Sequence, residues 1–326
     1  MSELIEPRVL KGFRDMLPEN ELVRRSIEVS LEHTIRSFGF VPIDTPVLEY
    51  AEILLGKGGG ETDKQVYRFN DHGGRDVALR FDLTVPFARF MATYGRELAL
   101  PFKRFHIAKV WRGENTQRGR YREFKQCDFS IVGIDSVNAD LEIILLIENC
   151  FRNLGISGFT IEISQRQVFN RLLDRLECSG RSTEILRLVD KLPKIGRDKV
   201  MEGLEDLIPS SKAREVIEYI EIDGSYKDAL DKAEESAGGP SEETSRLRSI
   251  GTQLADLGVS RVRFNPSITR GLDYYTGIVY ETFLTDLPAI GSVCSGGRYN
   301  NLASLYTKQE LPGVGAGGVG VEQVVQ

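Results

Sequence analysis

The sequence predicts an α+β fold, in which an antiparallel sheet is flanked by helices. Extended segments at 103–112 and 120–133 are joined by the polar, glycine-containing stretch GENTQRG, which is typical of an antiparallel hairpin. Amphipathic helical patterns lie before and between the extended segments. Strands that pair through hairpins, with helices around them, indicate this fold class.

The N-terminal elements follow from apolar spacing. Residues 20–37 carry Leu, Ile and Val at roughly helical spacing, with Pro18 where a helix would begin and Gly39 where it would end. Residues 40–50 are extended but interrupted by prolines. The segment VALRFDLT (77–84) predicts a strand, because apolar and polar side chains alternate along it.

The second half of the chain changes in character. A strong amphipathic helix is predicted at 138–155, followed by an extended segment at 159–165. From 166 to 257 the composition shifts to Glu, Lys, Arg and Leu, which indicates an inserted helical module. The sequence therefore predicts one domain made of two pieces, 1–165 and 258–326, interrupted by that module. Extended segments return after it at three places: 261–267, 276–283 and 292–296.

Composition excludes several functional classes. The 326 residues are 41% hydrophobic, enough for a core, and 48 acidic against 42 basic side chains exclude general coating of nucleic acid by charge. No stretch approaches ~18 uninterrupted apolar residues, and the N-terminus has no apolar secretory region. The four cysteines form no CxxC pair, which suits a reducing cytoplasm and argues against a zinc site or a disulfide framework.

The returning strand of the hairpin has the most informative pattern. A period of two puts six side chains on one face: Arg120, Arg122, Phe124, Gln126, Asp128 and Ser130. Guanidinium groups suit phosphate oxygens and an aromatic ring can stack on a base, so this face could hold a nucleotide. A solvated sheet face fits the pattern equally well. Arg80, Asp82 and Thr84 are expected to alternate in the same way on a neighbouring strand.

Two further segments carry candidate chemistry. TRGLDYYTG (269–277) places Arg270 and Asp273 around a glycine before a strand, which fits a substrate loop or, more simply, a charged turn with aromatic packing. LPGVGAGGVG (311–320) contains the dinucleotide-binding pattern G-x-G-x-x-G. We reject that interpretation, because only six residues follow the motif and a βαβ unit needs a crossover helix.

Five blocks of sequence occur in order from about residue 9 to about residue 317. They are KGFRDMLPEN, LRFDLTVPFARF, IAKVWRGENTQRGRYREFKQCDF, RGLDYYTGIVYE and SVCSGGRYNNLASLYTKQELPGVGA. Together they resemble the catalytic core of the histidyl-tRNA synthetase family. The resemblance implies the class II aminoacyl-tRNA synthetase fold, with six or seven antiparallel strands, and a homodimer. It also implies that the module at 166–257 contacts the acceptor arm of the tRNA, with four candidate contacts: Lys191, Lys194, Arg197 and Lys199.

The resemblance assigns a role to each candidate site residue. ATP would be bound by five residues: Arg112 at the α-phosphate, Arg120 at the γ-phosphate end, Glu114 at the adenine amino group, Phe124 stacked on the ring, and Gln323 at the triphosphate. Histidine would be bound at its α-amino group by Asp82, Thr84 and Gln126, and at its imidazole by Ser130, Tyr274 and Tyr275. Arg112 and Arg270 would be catalytic, with Arg270 stabilising the α-phosphate as the histidine carboxylate attacks it. The implied activity is ATP-dependent ligation of histidine to tRNA(His), with Mg²⁺ accompanying ATP and no metal ligand assigned.

Three residues depart from the family pattern. Ser130 stands where an Asp or Glu usually accepts from the imidazole N–H, and losing such a charge-assisted bond costs roughly 1.5–3 kcal/mol. Gln323 stands where an arginine usually grips ATP, and an amide cannot neutralise triphosphate charge. Asn300 replaces a usual aspartate.

Two functional hypotheses remain at the level of sequence. Members of the family usually continue into an anticodon-binding domain, whereas this sequence stops at Gln326, as expected of a catalytic fragment or of a form that lacks that domain. The first hypothesis is an active ligase. The second is a non-catalytic paralogue with a binding or regulatory role, such as the regulatory subunit of ATP phosphoribosyltransferase. The intact RGLDYYTG and RGRYREF blocks favour the enzyme.

Overall fold

The computed structural model describes residues 4–56, 65–113, 121–268 and 275–317. Its strands are β1 (Val41–Pro42), β2 (Leu48–Tyr50), β3 (Arg68–Asn70), β4 (Asp76–Leu79), β5 (Phe102–Trp111), β6 (Glu123–Val132), β7 (Phe159–Gln165), β8 (Val262–Phe264), β9 (Ile278–Leu284), β10 (Ser292–Arg298) and β11 (Gly313–Gly317). Its helices are α1 (Pro18–Ser37), α2 (Ala51–Leu55), α3 (Thr84–Tyr94), α4 (Val137–Asn153), α5 (Arg166–Arg175), α6 (Ser182–Val189), α7 (Leu192–Ile195), α8 (Arg197–Glu205), α9 (Ser210–Ile220), α10 (Tyr226–Ser236) and α11 (Glu242–Asp256). None of these helices has an apolar stretch long enough to cross a membrane.

The larger of two sheets organises the molecule. Its six central strands are antiparallel, in the order β5-β6-β11-β10-β9-β7. Two short strands extend its edges, because β1 runs parallel to β5 and β8 runs parallel to β7. The described residues therefore form eight strands in this sheet, and its six antiparallel strands agree with the six or seven that the resemblance implied. The second sheet has the order β2-β4-β3, and the α+β class is confirmed.

Strands β5 and β6 form the predicted hairpin. Ten residue pairs lie in register, from Phe102 opposite Val132 to Trp111 opposite Glu123. The predicted strands, 103–112 and 120–133, agree with the observed ones to within three residues at each end. This long, uninterrupted ladder fixes which side chains of β6 face each side of the sheet.

One face of the hairpin packs against α1 and α4. It carries three apolar residues of β6 that are almost fully buried: Cys127, Phe129 and Ile131. Leu31 of α1 belongs to the same apolar cluster. Lys125 lies on this face too, and its ammonium donates to the Glu28 carboxylate of α1 at 2.7 Å. The alternation predicted for β6 is therefore confirmed on its core side.

Seven helices, α5 to α11, connect β7 to β8, and residues 166–257 are called the helical segment below. Its apolar side chains and those of the sheet form one continuous buried cluster, which includes Ile144 of α4, Leu172 of α5 and Ile250 of α11. Helix α11 packs directly against α4. The segment is therefore seated on the sheet through a shared core.

The strand predicted at 77–84 is wrong in its second half. Strand β4 ends at Leu79, and Thr84 already begins α3. The Asp82 carboxylate accepts a hydrogen bond at 3.1 Å from a backbone N–H of the first turn of α3, which favours the helix start over continued strand. Arg80 and Asp82 are both buried, and β4 lies in the smaller sheet rather than beside β6.

Strand β11 has no visible strand pattern in the sequence, because glycine and small residues have low strand propensity. In the structure it pairs antiparallel with β6 on one side and β10 on the other. Backbone pairing on both edges compensates for the weak propensity. A βαβ dinucleotide motif needs parallel strands, so rejection of that interpretation is confirmed.

A buried histidine ties the N-terminal chain to the hairpin. His106 of β5 is 4% exposed, and its Nε2 lies 2.9 Å from Oδ1 of Asp44, just after β1. Burial, reinforced by the positive charges of Arg104 and Arg80, lowers the pKa of His106 from 6.5 to about 4, although Asp44 acts in the opposite direction. Asp128 of β6 lies opposite His106 in the antiparallel ladder. The imidazole is therefore neutral at physiological pH.

This depressed pKa predicts acid sensitivity. Between pH 6.5 and about 4 the unfolded chain binds a proton that the folded chain refuses, so the free energy of unfolding falls as pH falls through this range. The contribution is at most about 3–4 kcal/mol, because the pKa falls from 6.5 to about 4 and each pKa unit is worth about 1.36 kcal/mol. His106→Gln should make the free energy of unfolding, measured by urea denaturation from pH 7 to pH 4, less dependent on pH.

His33→Gln is the matched control, since His33 is exposed on α1. The control should keep the pH dependence of the wild-type chain. Identical pH profiles for His106→Gln and wild type would contradict a buried neutral histidine.

Candidate active site

The second face of the large sheet is lined with buried polar groups, and we call it the polar face. Five polar side chains of β5 and β6 on this face are at most 6% exposed: Arg104, His106, Gln126, Asp128 and Ser130. Phe124 continues the same alternation at the start of β6 and is half-buried. The predicted grouping of Phe124, Gln126, Asp128 and Ser130 on one face is confirmed. The solvated-face alternative is wrong, because polar groups buried this deeply are not facing solvent.

Glycines make room beside these polar groups. Gly315 of β11 lies opposite Ser130, and a Cβ there would come within 2.4 Å of the serine Oγ. A Cβ on Gly317 would come within 2.5 Å of the Asp128 carboxylate. Only glycine can therefore occupy these two positions, since real Cβ atoms do not approach that closely. The alternating glycines of β11 are explained by this clearance rather than by a phosphate-binding turn.

A row of paired strand residues leads across the sheet from Ser130 to the ring of Tyr275. Gly315 lies opposite Gly297 of β10, and a Cβ on Gly297 would come within 2.8 Å of the Tyr275 ring. Two strand spacings separate Ser130 from Gly297, which is about 10 Å. Ser130 and Tyr275, both predicted to contact one small ligand, therefore lie at the two ends of the row formed by Gly315 and Gly297, which we call the glycine floor.

Acidic and amide groups converge near the start of α3. Thr84 Oγ1 donates to Asp128 Oδ2 at 3.4 Å, and the carboxylates of Asp82 and Asp128 are both 3% exposed. The side-chain carbonyl oxygen of Gln126 is buried and accepts no hydrogen bond from the described residues. A buried acceptor without a donor costs about 1–3 kcal/mol, so this oxygen is suited to a ligand N–H. The predicted residues Asp82, Thr84 and Gln126 are brought to one region.

Two polar-face residues have roles that the sequence did not indicate. Arg104 is fully buried opposite Ser130, and its guanidinium stacks at 4.1 Å on the Phe87 ring of α3. It also donates to the backbone oxygens of Asp128, at 3.4 Å, and of Leu83, at 3.5 Å. Nothing in the sequence pattern of β5 distinguished Arg104 from an ordinary strand residue. Asp128 was on the predicted face, but no role was assigned to it. Together they place opposite charges beside Ser130.

The loop end of the hairpin, where β5 ends and β6 begins, carries a cation and a ring. The Arg112 guanidinium lies 5.1 Å from the centre of the Phe124 ring, and its Nε donates to the Phe81 backbone oxygen at 3.0 Å. The carbonyl orients the guanidinium, and the ring leaves a flat surface at the same end of the sheet. Arg112 and Phe124 are therefore neighbours, as a shared nucleotide site requires.

Asn300 has a structural explanation. Its Oδ1 accepts from Arg298 Nη1 at 3.1 Å, and its Nδ2 donates to the Asp135 carboxylate at 2.8 Å. An aspartate at this position would bring a second carboxylate against Asp135, whereas the amide supplies both an acceptor and a donor. The departure from the family pattern is thus matched to its neighbours in this chain.

Five predicted site residues lie outside the described ranges: Glu114, Arg120, Arg270, Tyr274 and Gln323. Among the residues that are described, no group of three or more His, Cys, Asp or Glu side chains could hold a metal ion. The described part of the site thus consists of a group of buried polar side chains near the start of α3 and a cation–aromatic pair at the loop end of the hairpin.

Comparisons with known proteins agree on one family. The sequence profile described as histidyl-tRNA synthetase matches residues 12–322. A histidine–tRNA ligase from Treponema denticola is 53% identical over 100% of this chain and 74% of its own length, and one from Treponema pallidum is 51% identical over 96% and 72%. The crystal structure of a histidyl-tRNA synthetase from Nostoc sp. PCC 7120 superposes with a TM-score of 0.88 at 33% identity, covering 99% of this chain and 75% of that one.

This chain therefore spans about three quarters of the length of the relatives it matches. The match includes the sheet, the helical segment and the polar face. The chain belongs to the histidyl-tRNA synthetase family.

Proposed function

We propose that this chain activates histidine with ATP and transfers it to tRNA(His). The polar face supports this proposal most directly. There, the buried side-chain oxygen of Gln126, which has no donor among the described residues, lies on the same face as the Thr84–Asp128 pair. Relatives at 53% and 51% identity are named histidine–tRNA ligases, so a non-catalytic paralogue is not favoured.

The acidic end of the pocket suits the α-amino group of histidine. An ammonium group carries N–H donors and a positive charge, and Gln126 offers a buried acceptor oxygen. Asp82 and Asp128 supply negative charge at low solvent exposure, where an ion pair is screened weakly. Thr84 holds the Asp128 carboxylate in place. Ammonium binding would therefore satisfy the glutamine oxygen and neutralise part of the buried charge.

The glycine-floored part of the pocket suits the imidazole ring. The absence of side chains at Gly315 and Gly297 lets the Ser130 hydroxyl and the Tyr275 ring lie directly over these strands, and the imidazole would bind between them. Ser130 would hydrogen-bond a ring nitrogen, and Tyr275, together with Tyr274 in the role that the resemblance gives it, would contact the ring from the far side. The serine is neutral, so the ring is held with less electrostatic energy than a carboxylate would provide.

The loop end of the hairpin suits ATP. Phe124 offers a stacking surface for adenine, and the adjacent Arg112 would contact the α-phosphate. Glu114, Arg120 and Gln323 keep the roles that the family resemblance gives them: contacts with the adenine amino group, the γ-phosphate end and the triphosphate. Mg²⁺ would arrive with the triphosphate, as it commonly does when substrate phosphates supply its ligands.

The two-step reaction then follows from charge placement. A histidine carboxylate oxygen forms a bond to the α-phosphorus, the bond to the bridging oxygen breaks, and pyrophosphate leaves with the electron pair. Arg112 and Arg270 would stabilise the negative charge that builds up on the α-phosphate. A terminal ribose hydroxyl of the tRNA next attacks the activated carbonyl, and AMP leaves. Positioning and electrostatics supply the rate enhancement.

Several surfaces support the remaining parts of the proposal. Exposed apolar side chains near the N-terminus favour a homodimer: Leu4, Ile5, Val9, Leu10, Leu17, Leu22, Val23 and Val29. Four exposed cations of the helical segment are candidate contacts for the tRNA acceptor arm: Lys191, Lys194, Arg197 and Lys199. Arg197 already pairs with Glu221 at 2.8 Å, which makes the three lysines the better candidates. The segment would act as an inserted module between the two pieces of the catalytic domain, 1–165 and 258–326.

The four cysteines are all free and buried, which supports a reducing compartment such as the cytoplasm. The thiol pKa values of Cys127, Cys150 and Cys294 are raised, chiefly by burial, so these thiols stay protonated and unreactive.

The proposed activity predicts histidine-dependent exchange of labelled pyrophosphate into ATP by the purified chain. The exchange needs no tRNA, so it tests the first step alone. Arg270→Ala should abolish it, because the α-phosphate loses a stabilising charge in the transition state. The exchange rate with and without histidine is the measurement.

Arg263→Ala provides a matched arginine control, since Arg263 is an exposed residue of β8. This variant should exchange at the wild-type rate. No exchange by the wild-type chain at saturating histidine would rule out the enzymatic proposal.

A second prediction concerns the departure at Ser130. Ser130→Asp should tighten histidine binding about tenfold or more, because a charge-assisted hydrogen bond to the imidazole is worth roughly 1.5–3 kcal/mol. Calorimetric titration of histidine measures the change. Ser130→Asn, of similar size but neutral, is the control and should gain much less. Equal affinities for the Asp and Asn variants would show that position 130 does not face the imidazole.

A further inference from the structure

A buried ion cluster joins the helical segment to the sheet. Asp140, in the first turn of α4, is fully buried between two guanidinium groups. Arg246 of α11 donates through Nε to one carboxylate oxygen at 2.6 Å. Arg298, at the end of β10, donates to the other oxygen through Nε at 3.0 Å and through Nη2 at 2.7 Å. One carboxylate therefore fixes the spacing between the helical segment and the end of a central strand.

Asp135 closes the cluster from the solvent side. Its Oδ1 lies 2.7 Å from Arg246 Nη2 and 3.3 Å from Arg298 Nη1. Burial acts to raise the pKa of Asp135, but Arg298 and Arg246 outweigh it and hold the pKa below its ordinary value. The two arginines therefore bridge two carboxylates, which restricts the orientation of both side chains.

Arg298 also anchors Thr276, through hydrogen bonds to its own backbone carbonyl. The Arg298 carbonyl accepts from the backbone N–H of Thr276 at 2.8 Å and from its hydroxyl at 3.4 Å. The Thr276 hydroxyl oxygen accepts from Asn300 N at 3.0 Å. The Thr276 carbonyl accepts from the side-chain amide of Gln167, the second residue of α5. Thr276 is thus held by β10 on one side and by the helical segment on the other.

Tyr275 is next to this anchor. Its ring packs over Gly297, the residue before Arg298. The aliphatic part of Arg298 in turn fills the space above Gly277, where a Cβ would come within 3.2 Å of it. A shift of the Arg298 side chain would therefore disturb the backbone on both sides of Thr276, and with it the tyrosine that flanks the glycine floor.

We propose that Arg246 and Gln167 are positioning residues for the histidine pocket, acting through Asp140, Arg298 and Thr276 on Tyr275. The inference rests on the proposed function, because it assigns the tyrosine to histidine binding. Both residues come from the helical segment, one from its first helix and one from its last. The seating of that segment on the sheet thereby sets the width of the amino-acid pocket, although neither residue touches the substrate.

The test is a split between two Michaelis constants. Arg246→Gln should raise the KM for histidine in pyrophosphate exchange roughly fivefold or more, while the KM for ATP changes less than about twofold. Arg246→Lys should fall between, because an ammonium cannot span both carboxylates as the guanidinium fork does. A purely structural role would lower the melting temperature or the active fraction and leave both constants unchanged.

Arg248→Gln is the matched control. Arg248 lies on the same helix, but its ion pairs, to Asp231 at 2.6 Å and Glu234 at 3.0 Å, stay within the helical segment. Its KM for histidine should equal that of the wild type. If Arg246→Gln does not fold, Gln167→Leu decides, since it removes only the donor to the Thr276 carbonyl and should give the same split.

Two outcomes overturn the inference. In one, Arg246→Gln and Gln167→Leu, where folded, keep the wild-type KM for histidine. In the other, the wild-type chain binds no histidine in calorimetry. A wild-type chain that binds histidine without catalysing exchange refutes the proposed activity alone, and histidine affinities of the same variants then replace the KM values as the test.

Discussion

The ten-pair register between β5 and β6 is the constraint on which the rest of the structure depends. Side chains alternate with a strict period of two, so a slip of one residue would exchange the two faces of the hairpin. Phe129 would then leave the apolar core that it shares with α1, and the Asp128 carboxylate would enter that core. The cost of burying an unpaired carboxylate in that core, together with the lost apolar burial, holds the register. The candidate site is therefore specified by the same energetics that fold the sheet.

Glycine and buried charge complete the pocket for complementary reasons. The glycines of β10 and β11 leave space at the centre of the sheet for the side chains of Tyr275, Ser130 and Asp128, which ordinary strand residues would displace. Arg104 places a buried cation against that space, and Asp128 on the next strand supplies the opposite charge. Fixed charges of this kind in a region with little water interact strongly with a bound ligand. A zwitterionic amino acid, with an ammonium and a carboxylate, suits such an arrangement.

Sequence patterns predicted the elements with strong periodicity and missed those decided by tertiary contacts. The hairpin, α4 and β7 were predictable because their apolar spacing is regular, and Gln126 and Asp128 were grouped correctly on one face. Strand β11 was not, because its pairing partners rather than its own residues stabilise it. Helix α3 begins at Thr84, where the Asp82 carboxylate accepts a hydrogen bond from a backbone N–H of the first turn. This contact favours the helix over the local strand pattern. The contact from Gln167 to Thr276 joins residues 109 positions apart, so no local pattern could indicate it.

The two faces of β6 have separate roles: the side chains proposed to bind histidine lie on one face, and those that pack against α1 and α4 lie on the other. Calorimetric titration of histidine into Gln126→Met and Lys125→Met tests it most directly, because these adjacent residues point to opposite faces. Gln126→Met should weaken histidine binding about tenfold or more, because it loses a hydrogen bond to a charged group. Lys125→Met, which loses its ion pair with α1, should bind histidine as the wild type does. Equal affinities for the two variants would show that histidine binding does not depend on which face of β6 a side chain occupies.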